Sequence, residues 1–356
     1  ESRSSPGGGG MSVGEIEREL SRLRMNDDGT LGARASVLNL IVVTDEESAP
    51  SITRVISELS GRHPSRAILV ISDPDEQEAN LEVVLSAFCG VRREVSGGNQ
   101  ICAEQITLHV EGPPAEHLES FAGPLLISDL PVFLWYPNGE IPRSPESDAM
   151  AALADRLILD SGAADDGETF LREVTNLVGE DLPAVGDLQW TALTPWRSLV
   201  ADLFTPPERA RELARIRQVE ILHKPEGECR ALLFAGWLAS ALGWRPESSV
   251  RTETGRVFGF VGTSGEITVT LSPDSPDARL RRVRLRSEEY SFQVSRLREL
   301  SAVCSTVMRG DELCAERTVR MGSFDPGVLV GEELHYRDRD RVYEAALRTV
   351  VEMIDL

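Results

Sequence analysis

The stretch from Ser36 to Ile71 constrains the fold more than any other part of this chain. Ser36–Val43 is a mostly apolar run of strand length. Ala49–Ser60 then returns to helical spacing through Ile52, Val55, Ile56 and Leu59 and stops at Gly61, and Ala67–Ile71 is a second buried-strand run closed by Ser-Asp-Pro. Parallel strands need a crossover of a dozen or more residues, and a helix supplies it, so this spacing reads as a β-α-β unit. Leu81–Phe88 and Ile101–Val110, separated by a Gly-Gly-Asn turn, read as an antiparallel excursion on the same sheet. Ala115–Phe121 and Ala149–Ala154 read as short helices, and Pro131–Pro137 and Asp155–Ser161 as further strands. Ahead of them, Ile16, Leu20 and Leu23 recur at helical spacing within Ser12–Met25.

The pattern changes past residue 185. Val219–Leu222 is a short strand and Glu228–Leu242 a strongly apolar helix. Strand then follows strand (Val257–Val261, Ile267–Leu271, Val283–Leu285, Tyr290–Val294, Ala302–Val307) with Gly, Asp, Pro and Ser turns. Arg341–Ile354 closes the chain as an amphipathic helix. The expected fold class is α/β in two domains: an N-terminal mixed α/β sheet domain and a C-terminal α+β domain with a largely antiparallel sheet. The expected boundaries are a disordered Ser/Gly/Pro-rich arm over 1–13, the N-terminal domain over 14–185, a tryptophan-containing bridge over 186–210 and the C-terminal domain over 211–356.

A length of 356 residues gives each domain room for a core. The net charge of −21 argues against nucleic acid or an anionic membrane as the partner. Lys224 is the only lysine and sits in a polar turn, which speaks against Schiff-base chemistry. Five scattered cysteines without C-x-x-C spacing point to structural thiols in a reducing, cytoplasmic setting. Cys304 and Cys314 lie in adjacent strand-like runs and are the candidate redox pair, facing each other across a hairpin. No apolar run is long enough to span a bilayer, and the first ten residues do not read as a signal peptide.

Catalytic signatures are missing. There is no phosphate-binding P-loop, no glycine fingerprint opening a helix after a strand, no H-E-x-x-H and no G-x-S-x-G. The sequence therefore nominates no catalytic residue, no metal and no cofactor. It offers recognition features instead. Asp187-Leu-Gln-Trp-Thr-Ala-Leu-Thr-Pro-Trp-Arg197 holds two of the five tryptophans, and Thr194-Pro195 is a helix-start signal. Trp190, Thr194, Trp196 and Arg197, with Trp135 and Tyr136 at the end of a strand, are the candidate partner-binding residues, because aromatics and arginine dominate interface hot spots. His63, Ser65 and Arg66, directly before a buried strand, are the candidate phosphate or effector contact. The alternative use of that segment is a helix-to-strand connection fixed by Pro64.

Four stretches in order carry a resemblance: Arg62–Ala67, Asp129–Pro137, Ala154–Ser161 and Asp187–Arg197. Together they resemble the glucose-6-phosphate dehydrogenase assembly protein family, known as OpcA, with Trp135-Tyr136 standing where family members often have two tryptophans. The resemblance implies a non-catalytic protein. It would bind glucose-6-phosphate dehydrogenase, promote its active oligomer and activate it allosterically, feeding NADPH supply through the oxidative pentose phosphate pathway. The alternative is a sugar-phosphate- or nucleotide-binding enzyme using the His63–Arg66 segment.

Overall fold

The computed structural model describes residues 2–7, 11–25, 33–34, 36–91, 100–141, 149–180, 182–273, 278–297 and 302–356. It divides into two compact units, each stitched from three segments. The first comprises residues 1–160, 179–186 and 326–339, the second 161–178, 187–325 and 340–356. The 186–210 stretch thus lies, from Asp187 onward, in the second unit.

The first unit carries a nine-stranded sheet. Its strands are β1 (Ser2–Gly7), β2 (Ala33–Arg34), β3 (Leu38–Thr44), β4 (Ser65–Asp73), β5 (Asn80–Val91), β6 (Gln100–Glu111), β7 (Val132–Tyr136), β8 (Arg156–Leu159) and β9 (Ala184–Asp187). They run in the order β1-β5-β6-β4-β3-β7-β8-β9, with β2 beside β6. The run β6-β4-β3-β7-β8 is parallel. Its order reverses between β3 and β7, as in a doubly wound nucleotide-binding sheet. The helix Ala49–Ser60 crosses over from β3 to β4 and buries Ile52, Ile56 and Leu59. The next crossover differs, because β5, antiparallel to β6, takes the place of a second helix, as the two strand-length runs around the Gly-Gly-Asn turn predict.

Ser2–Gly7, expected within a disordered arm, instead pairs antiparallel with β5, Ser2 opposite Phe88 and Gly7 opposite Val83. A ladder needs only backbone N–H and C=O groups, so a polar sequence does not prevent it, and Pro6 is tolerated because the strand is at the edge.

The second unit carries an eight-stranded sheet. Its strands are β10 (Gln218–Leu222), β11 (Arg245–Thr252), β12 (Gly255–Gly262), β13 (Gly265–Ser272), β14 (Arg282–Arg286), β15 (Tyr290–Arg296), β16 (Ala302–Arg309) and β17 (Glu312–Arg320). Their order is β11-β12-β13-β10-β14-β15-β16-β17. Among the described strands of this sheet only the β10–β13 pair is parallel. Helix Glu228–Leu242 is apolar nearly all round and is buried through most of its length, as such a helix must be. Gly236 lets helix Arg341–Ile354 approach it closely, since a Cβ there would press on the Ala346 carbonyl and the Val350 side chain.

Candidate functional site

Ligands of doubly wound sheets bind outside the carboxyl ends of the strands, at the point where the strand order reverses. Here that point is the pair of loops leaving β3 and β7. The β3 loop reads Thr44-Asp45-Glu46-Glu47-Ser48, with three carboxylates and no glycine. Asp45 accepts a hydrogen bond from the Ser48 backbone N–H at 2.7 Å. Asn138, just past β7, donates to the other Asp45 oxygen, and the Thr44 hydroxyl donates to the Asn138 amide oxygen at 3.4 Å. Glu46 faces His109 at 3.4 Å. A dinucleotide pyrophosphate needs a glycine turn and bare N–H groups at the helix start. Carboxylates stand there instead, tied across the crevice through Asn138. The residues do not fit a dinucleotide.

The His63–Arg66 segment lies at the opposite edge, where β4 begins. Arg66 is 1% exposed and its donors are occupied. Its Nε and one terminal nitrogen donate to a single Glu104 oxygen at 3.0 and 2.7 Å. The guanidinium also pairs with Glu17 and donates to the Leu125 carbonyl at 3.0 Å. Arg24 closes on the second Glu104 oxygen at 3.1 Å. Ser65 is buried as well. Arg66, the charged member of the expected phosphate contact, is therefore part of a structural ion network that fastens helix Val13–Leu23 to the sheet.

His63 is half-buried and meets His335 edge-on, with ring centroids 4.8 Å apart. Gly331, in helix Pro326–Glu333, leaves room for it. Burial, and after it the neighbouring His335 and Arg62, lowers the His63 pKa below the ordinary imidazole value. Sequence spacing gives no sign of this pair, because 272 residues separate the two rings along the chain.

In the second unit, the tryptophan segment forms two consecutive helices, Leu188–Ala192 and Thr194–Leu203. Asp187 starts the first by accepting from the backbone N–H of Gln189 at 2.8 Å and that of Ser161 at 3.2 Å. Trp196 is 1% and Trp190 3% exposed. The Trp190 indole N–H donates to Asp340 at 2.7 Å, and its ring packs on Tyr343. The Arg197 guanidinium lies 3.4 Å over the Trp190 ring and donates to the Thr194 hydroxyl at 3.1 Å. Burial pulls the Arg197 pKa down to about 10, against the opposing pull of Asp340.

The expected aromatic anchors are thus core residues of their own unit. Trp135 and Tyr136 are buried too, because β7 is a central parallel strand covered on both faces. Burial raises the Tyr136 pKa above its ordinary value. Of the six candidates, only Thr194 and part of Arg197 reach the surface of their unit.

Cys304 and Cys314 do lie on the two strands of one hairpin, but the register separates them. Cys304 is opposite Thr318. Cys314 sits four residues from that position, about 13 Å along the strand. That distance exceeds the reach of a disulfide. Cys304 is buried and donates to Glu316 at 3.4 Å, while Cys314 is exposed. Among the described residues no His, Cys, Asp and Glu group could hold a metal ion, and no helix is long and apolar enough to cross a membrane.

Two family models match in tandem. One is described as the glucose-6-phosphate dehydrogenase subunit N-terminal domain, over residues 56–176, and the other as the C-terminal domain, over residues 183–347. An OpcA protein of Nostoc punctiforme, named for the OxPP cycle, is 33% identical over 195 residues, covering 55% of this chain and 41% of that protein. A namesake from Synechocystis is 29% identical over 199 residues, covering 54% and 40%. The matched stretches thus span less than half the length of these curated relatives. Among solved structures, a single-site mutant of KijD10, a 3-ketoreductase from Actinomadura kijaniata in complex with TDP-benzene and NADP, aligns with a TM-score of 0.52. It is 12% identical, with 90% of this chain and 96% of that one covered, a likeness of fold alone. By its tandem N- and C-terminal domains, the chain belongs to the OpcA glucose-6-phosphate dehydrogenase assembly family.

Proposed function

We propose that this protein binds glucose-6-phosphate dehydrogenase and acts as a non-catalytic assembly factor and activator, favouring the enzyme's active oligomer. The observation that carries the reading is the tandem match to both glucose-6-phosphate dehydrogenase subunit domains. The β3 loop supports the non-catalytic part: a doubly wound sheet without a glycine turn, with Asp45, Glu46 and Glu47 in its place, is poorly suited to hold a nicotinamide dinucleotide. Activation then comes from differential binding. A partner that binds the active form more tightly than the inactive one shifts the population by that difference, and about 1.4 kcal/mol moves it tenfold.

Arg197 and Thr194 are the contact residues we assign from the tryptophan segment, with Trp190 and Trp196 buried beside them in the same unit. The test is a titration of this protein into glucose-6-phosphate dehydrogenase from the same source, following NADPH production and particle size together. The reading expects a saturable rise in rate with a larger species in light scattering. A flat rate with no complex overturns it.

A further inference from the structure

In the second unit, arginines converge where the sheet meets the start of helix Glu228–Leu242. Arg230, in the first turn of that helix, is buried and donates through Nε and a terminal nitrogen to the Gln189 side-chain oxygen at 3.1 and 2.8 Å. The Gln189 amide nitrogen and the Arg279 guanidinium both press on the face of Gly162, where a Cβ would overlap them. Arg279 donates to the Gly162 carbonyl at 3.3 Å, and its backbone lies against Gly227, the residue that caps the helix. On the other side of Arg230, the Phe324 ring lies under two guanidinium groups, 5.4 Å from Arg230 and 5.8 Å from Arg296. The backbone N–H of Arg296 donates to the Arg281 carbonyl, two residues from Arg279, so these side chains come from adjoining backbone.

The charge balance of this cluster is unusual. The protein has 58 acidic and 37 basic side chains, so a half-buried arginine has ample choice of carboxylates. Yet neither Arg279 nor Arg296 has an ion pair among the described residues. Arg279 has a neutral carbonyl and Arg296 the face of a phenylalanine. The acid that Arg279 influences, Glu226, pairs with Lys224 instead and feels Arg279 only weakly. Beside Gly162, the Ser161 hydroxyl is 1% exposed and has no hydrogen-bond partner among the described residues. The positive end of a 15-residue helix adds to the same field.

We propose that this cluster is a binding site for a phosphate group, with Arg279 and Arg296 as the charged donors and Gln189 holding Arg230 in place between them. Guanidinium donors in a fork geometry match a tetrahedral oxyanion. Phe324 supplies a flat apolar face beside them, which suits the remainder of a phosphorylated small molecule. The site uses none of the residues of the His63–Arg66 segment, and it does not depend on the dehydrogenase reading, because it is tested on this protein alone.

The experiment is calorimetric titration and thermal shift of the full chain with inorganic phosphate, against sodium chloride at matched ionic strength. Glucose 6-phosphate and NADP are run as separate arms. Saturable phosphate binding is expected, with Arg279→Gln and Arg296→Gln each weakening it about tenfold or more. Gly162→Ala should weaken it as well, by displacing the flexible ends of Arg279 and Gln189. Arg309→Gln, whose guanidinium pairs with the exposed Glu289 and lies over the Tyr290 ring, should not. Tighter binding in one of the other arms identifies the source of the phosphate, and equal affinity in all three supports a site for the bare anion. Phosphate acting no differently from chloride, or binding unchanged in folded Arg279→Gln and Arg296→Gln proteins, overturns the proposal.

Discussion

Arg66 and Arg279 are the same side chain in opposite circumstances. Arg66, in the first unit, is enclosed by Glu104, Glu17 and the Leu125 carbonyl, with Arg24 completing the network on the far Glu104 oxygen. Arg279, in the second unit, is half-buried and meets a glycine carbonyl and the edge of a glutamine. In sequence, Arg66 looks the more functional: it follows His63-Pro-Ser and precedes a buried strand. Position along the chain says which element a charge begins, but not whether its donors are already used. A buried guanidinium with its carboxylates in place holds a fold together, whereas one without them keeps the capacity to bind something else.

The sharpest break of this comparison is at Glu104. Glu104→Gln leaves Arg66 and Arg24 buried with their main charge partner gone, and losing one member of a buried ion network costs about 3–5 kcal/mol. Chemical denaturation should show that loss, whereas Arg279→Gln should leave the midpoint nearly unchanged. Equal destabilisation by the two variants would erase the distinction between a closed and an open arginine. Trp196→Ala comes next. Removing a ring that is 1% exposed should cost about 3–5 kcal/mol. A stable Trp196→Ala protein would contradict its place in the core. Arg197→Ala is smaller again: the affinity for the dehydrogenase should fall by about 1–2 kcal/mol, the size of one interface hot spot, with the fold kept. Isothermal titration of folded Arg197→Ala protein against the dehydrogenase measures it, and unchanged affinity removes Arg197 from the interface.

Much of the fold is legible because burial writes a period into the sequence. The β3–helix–β4 unit, the β5–β6 pair and helices Glu228–Leu242 and Arg341–Ile354 all have an apolar face or an apolar run, and all appear where the spacing places them. Elements without that period escape such a reading. β11 and β17 are edge strands, and β17 is Glu-Leu-Cys-Ala-Glu-Arg-Thr-Val-Arg, mostly exposed on both faces. Charges on edge strands discourage unwanted pairing, and they also erase the alternation that reveals a strand. The candidate site is less legible for a related reason. Aromatic content marks core and interface alike, so Trp190 and Trp196 stand out without disclosing which way they face. Arg230, Arg279 and Arg296 come from three separate segments of the chain, and no local motif joins them.

The weakest expected effect concerns the pair His63–His335, and its sign follows from burial. The His63 pKa is lowered in the folded protein, first by burial and then by His335 and Arg62, and burial lowers that of His223 too. Above an ordinary imidazole pKa of about 6.5 both folded and unfolded forms are neutral, and the histidines do not tilt the balance. As pH falls through that value the unfolded chain takes up protons that the folded chain resists, so stability declines until the folded-state pKa is passed. Denaturation midpoints should therefore fall between neutral and mildly acidic pH. In His63→Gln the fall should be shallower, because one of the resisting groups is gone, and His335→Gln should act in the same direction by removing the facing ring. An identical pH slope in all three proteins would mean that the His63 pKa is not lowered in the folded protein, against the burial and the facing ring 4.8 Å away.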